Sequence, residues 1–237
     1  MTPELSRHID ELVTANHILF HEGVVDGFGH VSMRHPEAAD RFLIARSMAP
    51  ALVTAADVVE LDFDAAPRAG ETRRLYLERF IHAEIYRQRP DVGAVVHSHS
   101  QTLVQFGIVK NVRLQPVCHM CGFLGTGVPV FEIRDTAGSA TDLLVRDPAL
   151  GRALAASLGA STAVLMRGHG STVVGDDVRQ AVFRAVYLEK NAQIQAEALK
   201  LGEITALTPE EAAAADATNS AQIGRSWDLW KQALTGV

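Results

Sequence analysis

Three histidines at the ends of two apolar runs hold most of the chemical potential of this chain. Residues 92–100 form an apolar run that ends in His97-Ser98-His99. Side chains on a strand alternate faces, so His97 and His99 point the same way. Two neutral imidazoles a few ångströms apart are natural ligands for a transition metal. A third follows the apolar run 163–166, where glycines on either side of His169 let the backbone turn sharply. Three histidines at two strand ends match the ligand count of a catalytic metal site that keeps one position open. Nitrogen donors suit zinc better than magnesium, and manganese, cobalt and iron accept the same set. An isolated H-x-H also occurs as a hydrogen-bonded pair, so the weight of the motif depends on what surrounds it.

Glu78 lies nineteen positions before His97, on a segment that reads as a helix over about 77–89 because Phe80, Ile81, Ile85 and Tyr86 share one stripe before Pro90. A carboxylate brought near a divalent ion serves as a fourth ligand or as an acid/base, and position alone leaves both open. Arg73, Arg74 and Tyr76 add cations and a phenol close by, although a solvated charged helix end is the plainer reading of the two arginines. The two cysteines, Cys118 and Cys121, form a C-x-x-C with no second pair to complete a structural zinc site and no helix signal after it. Reduced thiols are expected.

Other elements frame these residues. Thr2-Pro3-Glu4 signals a helix start, and apolar residues at helical spacing carry it to about residue 22. A glycine-rich turn is expected over 26–34, strands over 41–46, 58–63 and 128–133, and a helix over 148–158. A strand over 172–174 and a long helix over about 178–201 should follow, then a last helix from the Thr208-Pro209-Glu210-Glu211 capping box towards Trp227 and Trp230. With 237 residues, 47% of them apolar, and no linker or repeat, one α/β domain over 1–237 with a sheet between helix layers is the economical expectation. The net charge of −6 without a basic block argues against nucleic acid or anionic membrane as partner. The N-terminus lacks a basic, then apolar, leader, and no run approaches the roughly 18 apolar residues of a membrane span, so a soluble cytoplasmic protein is expected.

Taken in order, Gly29-His30-Val31-Ser32, Glu78, His97-Ser98-His99 and Arg167-Gly168-His169-Gly170 resemble the motifs of the class II aldolase/adducin family. The resemblance covers about residues 5–200. It implies a three-layer α/β/α fold with a mixed, mainly antiparallel sheet and a divalent metal, most simply zinc, held by His97, His99 and His169, with no organic cofactor. It also implies a homotetramer with active sites at subunit interfaces, where a C-terminal helix over about 209–234 would lie. In the family's sugar-phosphate aldolases the glutamate matching Glu78 is the acid/base beside the metal. Those members hold phosphate with an asparagine in the early turn and a serine pair before the glutamate. Here His30 and Tyr76-Leu77 stand instead, so phosphate binding is not expected. His30, Ser32, Arg46, Ser47 and Tyr76 become the candidate substrate-binding residues, and Arg46, with the planar fork that grips carboxylates, suggests a carboxylated small-molecule substrate; a structural salt bridge is its plainer role. His119, in an apolar and glycine-punctuated loop, is a candidate proton donor reaching a neighbouring subunit's site, or else a hydrogen-bonded core histidine.

These departures resemble most the family's decarboxylase branch, including 3,4-dihydroxyphthalate decarboxylases. The implied reaction is metal-assisted loss of CO2 from a hydroxylated aromatic or ring-derived acid, with the electrons left behind held as an enolate or phenolate and with Glu78 or His119 returning a proton to carbon. Aldol cleavage of a non-phosphorylated hydroxy-keto acid, and an adducin-like binding role without catalysis, are the rivals.

Overall fold

Four helices begin with the same device. The side-chain oxygens of Thr2, Asp147, Asp177 and Thr208 each accept the amide N–H three residues on, satisfying a donor that the helix itself cannot. The computed structural model describes residues 2–235. In chain order the elements are α1 (Pro3–His21), β1 (His30–Arg34), β2 (Arg41–Ala45), β3 (Val58–Asp62), α2 (Arg79–Gln88), β4 (Ala94–Ser98) and α3 (Gln101–Ile108). Then come β5 (Val130–Phe131), α4 (Arg134–Ala137), α5 (Pro148–Leu158), β6 (Ala163–Met166), β7 (Gly170–Gly175), α6 (Val178–Leu201), α7 (Pro209–Ser220) and α8 (Ile223–Ala233). No helix among the described residues is long and apolar enough to cross a membrane.

The strands form one mixed sheet in the order β3-β2-β1-β4-β7-β6-β5, antiparallel throughout except for the β5–β6 edge. Helices cover both faces. Val31, Met33, Ala94, Val96, Leu165 and Val173 turn to one face and join the core made with α1, α3, α6 and α8. Ile44, Val59, Val95, Val164 and Val174 turn to the other, against α2 and α5. The alternation that buries Val31, Met33 and Val96 on the first face sends His30, Ser32 and His97 to the second, where α2 lies. Register then sets His30 of β1 directly opposite His97 of β4.

Several expected elements differ. Residues 30–34 of the expected glycine-rich turn are the interior strand β1, because Gly29, with φ of +95°, completes the reversal early and leaves His30–Arg34 free to pair on both edges. The strand expected over 128–133 shrinks to Val130–Phe131, since Arg134–Ala137 already turns as α4. Helix α3, directly after the histidine pair, has no counterpart among the expected elements. The helix expected over 209–234 is two helices: the chain turns at Ala221 and Gln222, where the Gln222 amide donates to the Asn219 carbonyl. The turn lets α8 fold back and bury Trp227 and Trp230 against α6, which one straight helix could not do.

The β4–β7 seam, which sets the histidines' separation, tolerates no side chain at Gly170. A Cβ there would lie 1.9 Å from the Ser98 carbonyl oxygen and 3.0 Å from the His99 Cα, both backbone atoms that cannot swing aside. Gly170→Ala should therefore destabilise the fold by on the order of 3 kcal/mol, read as a lower denaturation midpoint. An unchanged midpoint would contradict this seam.

Candidate metal centre

Strand β4 brings His97 to the end of the sheet and His99 just beyond it, while the β6–β7 turn presents His169. Glu78 occupies the residue before α2. Ligand atoms from these four residues all lie within 4.8 Å of one another. The Nε2 atoms of His97 and His99 are 3.1 Å apart, and those of His99 and His169 are 3.0 Å apart. Glu78 Oε2 sits 3.5 Å from His97 Nε2 and 3.4 Å from His169 Nε2.

The opposite edges of the rings are fixed by the backbone. His97 Nδ1 donates to the Ser171 carbonyl at 3.0 Å, and His169 Nδ1 to the Leu143 carbonyl at 2.8 Å. With the proton on Nδ1, each Nε2 turns a lone pair towards the cluster. Glu78 Oε1 accepts the Val145 amide at 3.0 Å, which leaves Oε2 to face the imidazoles. Burial by itself would raise the Glu78 carboxyl, but positive charge at the facing edges of His97 and His169, as a proton or a bound cation supplies, outweighs it and holds the group well below the ordinary carboxylate range. His99 is pushed down to about 4 by burial and by the other two rings, which keeps it neutral near pH 7. Convergent lone pairs beside a carboxylate repel one another unless a proton or a metal ion lies among them. The donor set therefore fits a divalent metal.

Beside the cluster opens a cavity of about 310 Å³, lined among others by His30, Ser47, Arg74, Tyr76, Glu78 and His99. The Ser47 amide donates to the Arg74 carbonyl and ties together two of the loops that form its wall. The Tyr76 hydroxyl donates to the Met48 carbonyl at 2.5 Å, and burial pushes its pKa up to about 12.

The chain can now be set beside known proteins. Residues 10–196 match the model of the Class II Aldolase and Adducin N-terminal domain. The chain belongs to the class II aldolase and adducin family. It is 37% identical to decarboxylase tropJ of Talaromyces stipitatus, over 92% of this chain and 90% of that one. It is 31% identical to the 3,4-dihydroxyphthalate decarboxylase of Arthrobacter keyseri, over 81% and 79% of the two chains. Among solved structures, an aldolase II superfamily protein from Pseudomonas syringae superposes with a TM-score of 0.81 at 23% identity, covering 99% of this chain and 94% of that chain. An L-fuculose 1-phosphate aldolase from Glaciozyma antarctica superposes with a TM-score of 0.79 at 25% identity, covering 98% and 91%. Its family and these relatives make the protein a lyase-type enzyme built on the class II aldolase fold.

Of the residues singled out from sequence, the structure brings His97, His99, His169 and Glu78 together and lines the adjoining cavity with His30, Ser47 and Tyr76. Three fall elsewhere. Ser32 is wholly buried behind His30, its hydroxyl 2.6 Å from His82 Nδ1 and 2.7 Å from the Tyr86 hydroxyl, so it cannot touch a ligand in the cavity. Arg46 has its Nε 2.7 Å from Asp57 Oδ1 and is not among the residues lining the cavity, which gives it the salt-bridge role. His119 is exposed rather than buried in a core. It lines a separate cavity with Met120, Phe183, Tyr187 and Arg225 that shares no residue with the one beside the histidines.

Arg74 takes the place expected of Arg46: it lies on the cavity wall, and among the described residues its guanidinium has no ion pair or hydrogen bond. Its neighbour Arg73 is instead held by Glu71. The sequence places Tyr86 only in the apolar stripe of α2 and gives His82 no role, although the two stand four and eight positions after Glu78 and so share its helix face.

Replacing His97, His99 or His169 by alanine should each lower divalent-metal content, with an affinity loss beyond the roughly 10- to 100-fold that removing a supporting hydrogen-bond partner costs. Elemental analysis of the purified variants measures it. Full occupancy in all three would show that these imidazoles are not the ligands.

Proposed function

We propose that this enzyme decarboxylates a hydroxylated aromatic or ring-derived carboxylic acid, with a divalent ion held by His97, His99 and His169. The observation that carries the reading is Arg74: an arginine whose guanidinium has no ion pair or hydrogen bond among the described residues lines the same cavity as Glu78 and His99. Its planar fork matches a carboxylate and orients it as a point charge would not. The names of the relatives at 37% and 31% identity agree with this choice of reaction.

Zinc is the ion proposed, because three imidazoles suit a borderline-soft cation; manganese, cobalt or iron would use the same donors. When bound, such an ion supplies Lewis acidity to the substrate's oxygens. The chain's own residues do the rest. Arg74 fixes the acid, and the rings of His30 and Tyr76, with centroids 4.6 Å apart and tilted to each other, form one wall. Glu78, held at Oε1 by the Val145 amide, keeps Oε2 free to take the proton of the hydroxyl beside the carboxylate and to return it to the ring carbon. The carbon–carbon bond then breaks, its electron pair passes into the ring as an enolate or phenolate, and CO2 leaves. His119 enters this scheme only as a group offered to a neighbouring subunit. The reading includes a cytoplasmic homotetramer that contributes to aromatic-compound catabolism, and exposed Ile108, Val109 and Leu199 agree with further association.

Purified protein loaded with zinc should release CO2 from members of a hydroxybenzoate and hydroxyphthalate panel. Arg74→Ala should lower kcat/KM by roughly tenfold or more, and Arg74→Lys should restore part of it. Glu78→Gln should keep the metal yet lose about 10² to 10⁴ in kcat. Aldehyde release from a hydroxy-keto acid with no CO2 from any acid would overturn the reading in favour of aldol cleavage, and an Arg74→Ala enzyme of undiminished kcat/KM would remove Arg74 from it.

A further inference from the structure

From the cavity wall inward runs a row of four hydrogen-bonding side chains, of which His30 meets the cavity and the other three are sealed from solvent. His30 Nδ1 is 2.6 Å from His82 Nε2, His82 Nδ1 is 2.6 Å from Ser32 Oγ, and Ser32 Oγ is 2.7 Å from the Tyr86 hydroxyl. His82 and Ser32 are 0% exposed, Tyr86 1% and His30 4%. Two elements build it. The alternation of β1 turns His30 and Ser32 to the same face, and the helical period of α2 stacks His82 and Tyr86 against them.

We propose that this row locks His30 in one tautomer, with its proton on Nε2 and directed at the cavity, so that His30 hydrogen-bonds an anionic oxygen of the substrate while His82, Ser32 and Tyr86 act as positioning residues. The direction follows from counting hydrogens. The Tyr86 hydroxyl keeps its hydrogen, since burial pushes the phenol up, and its side-chain partner is Ser32. If Tyr86 donates to Ser32, Ser32 donates to His82 Nδ1. His82 must then carry its proton on Nε2 and give it to His30 Nδ1, which leaves the His30 hydrogen on Nε2. Every hydrogen in the row is used. In the reverse sense the Tyr86 hydrogen has no acceptor in the row, in a place that water does not reach. A doubly protonated His82 fails likewise, because Ser32 would accept from both neighbours and strand its own hydrogen.

The remaining nitrogen of His30 has no side-chain partner among the described residues, and His30 lines the cavity that Arg74 and Glu78 share. Its ring lies 4.9 Å from that of His97, so the donor stands next to the metal ligands. A donor that cannot become an acceptor favours a carboxylate or phenolate oxygen and disfavours a hydroxyl that must itself donate. This role for the substrate oxygen rests on the decarboxylase reading, whereas the tautomer does not.

Neutron diffraction from crystals of the zinc-loaded protein exchanged into D2O reads the tautomer directly. A deuteron is expected on His30 Nε2 and on His82 Nε2, with the Tyr86 deuteron turned to Ser32; a deuteron on His30 Nδ1, alone or with one on Nε2, overturns the proposal. The linkage to ligand is tested by calorimetric binding of 2-hydroxybenzoate in a double-mutant cycle. Tyr86→Phe, which frees the row to reverse, should weaken binding about three- to tenfold in the wild-type background. In a His30→Gln background, where the amide donates without help from the row, Tyr86→Phe should change nothing. Equal losses in both backgrounds would make Tyr86 merely structural and overturn its positioning role. If neutron diffraction finds the Nε2 deuteron and 2-hydroxybenzoate does not bind the wild type, the tautomer stands and the assignment of the cavity to such acids fails.

Discussion

Mutual repulsion among the lone pairs of three imidazoles and one carboxylate is the constraint around which this molecule is arranged. With no proton or metal ion between them, Nε2 atoms 3.0 to 3.1 Å apart, with the Glu78 carboxylate 3.4 to 3.5 Å away, would separate if the scaffold let them. It does not. The Ser171 and Leu143 carbonyls hold the far edges of His97 and His169, and the Val145 amide holds Glu78 from behind. Those groups belong to β7, to the loop before α5 and to the start of that loop's run into the helix, so the site depends on elements far apart in sequence. Preorganisation of this kind puts the cost of gathering facing lone pairs into folding, and a cation entering the cluster relieves it.

The sheet makes this possible through close approach. β4 and β7 lie side by side with no side chain at Gly170 to wedge them apart, and the tight turn at Gly168, with φ of +66°, swings His169 back over the strand ends. The same face of the sheet also holds His30 and Ser32, which explains why the histidine cluster and the buried row are neighbours. One alternation along β1 and β4, set against one helical face of α2, generates both.

The convergence of the three histidines was legible in the sequence because each ends an apolar run, and that of Glu78 because it precedes the helix before the first of them. The fold class followed from the succession of apolar strand and helix signals, reinforced by the ordered motifs of the family. What stayed hidden has physical reasons. β1 reads as a turn because its short stretch mixes His30, Ser32 and Arg34 with Val31 and Met33, and half of it faces a polar row rather than apolar core. His82 lies among Ile81, Ile85 and Tyr86, so the apolar stripe of α2 masks the Glu78, His82, Tyr86 spacing. Arg46 and Arg74 are indistinguishable as residue types. Only the fold shows that Asp57 already occupies the first, while the second lies open on the cavity wall. The turn between α7 and α8 has no proline to announce it, and its consequence, the burial of Trp227 and Trp230, is tertiary.

The central claim is that one divalent ion is held by three imidazoles at the ends of β4 and the β6–β7 turn. X-ray absorption spectroscopy of the zinc-loaded protein tests it most directly, because imidazole rings give characteristic multiple-scattering features and sulfur ligands stand apart at about 2.3 Å. The account predicts about three imidazoles per zinc in a shell of nitrogen and oxygen, with no sulfur. A zinc–sulfur shell, which would point to Cys118 and Cys121, or a shell of oxygens without imidazole, would contradict it.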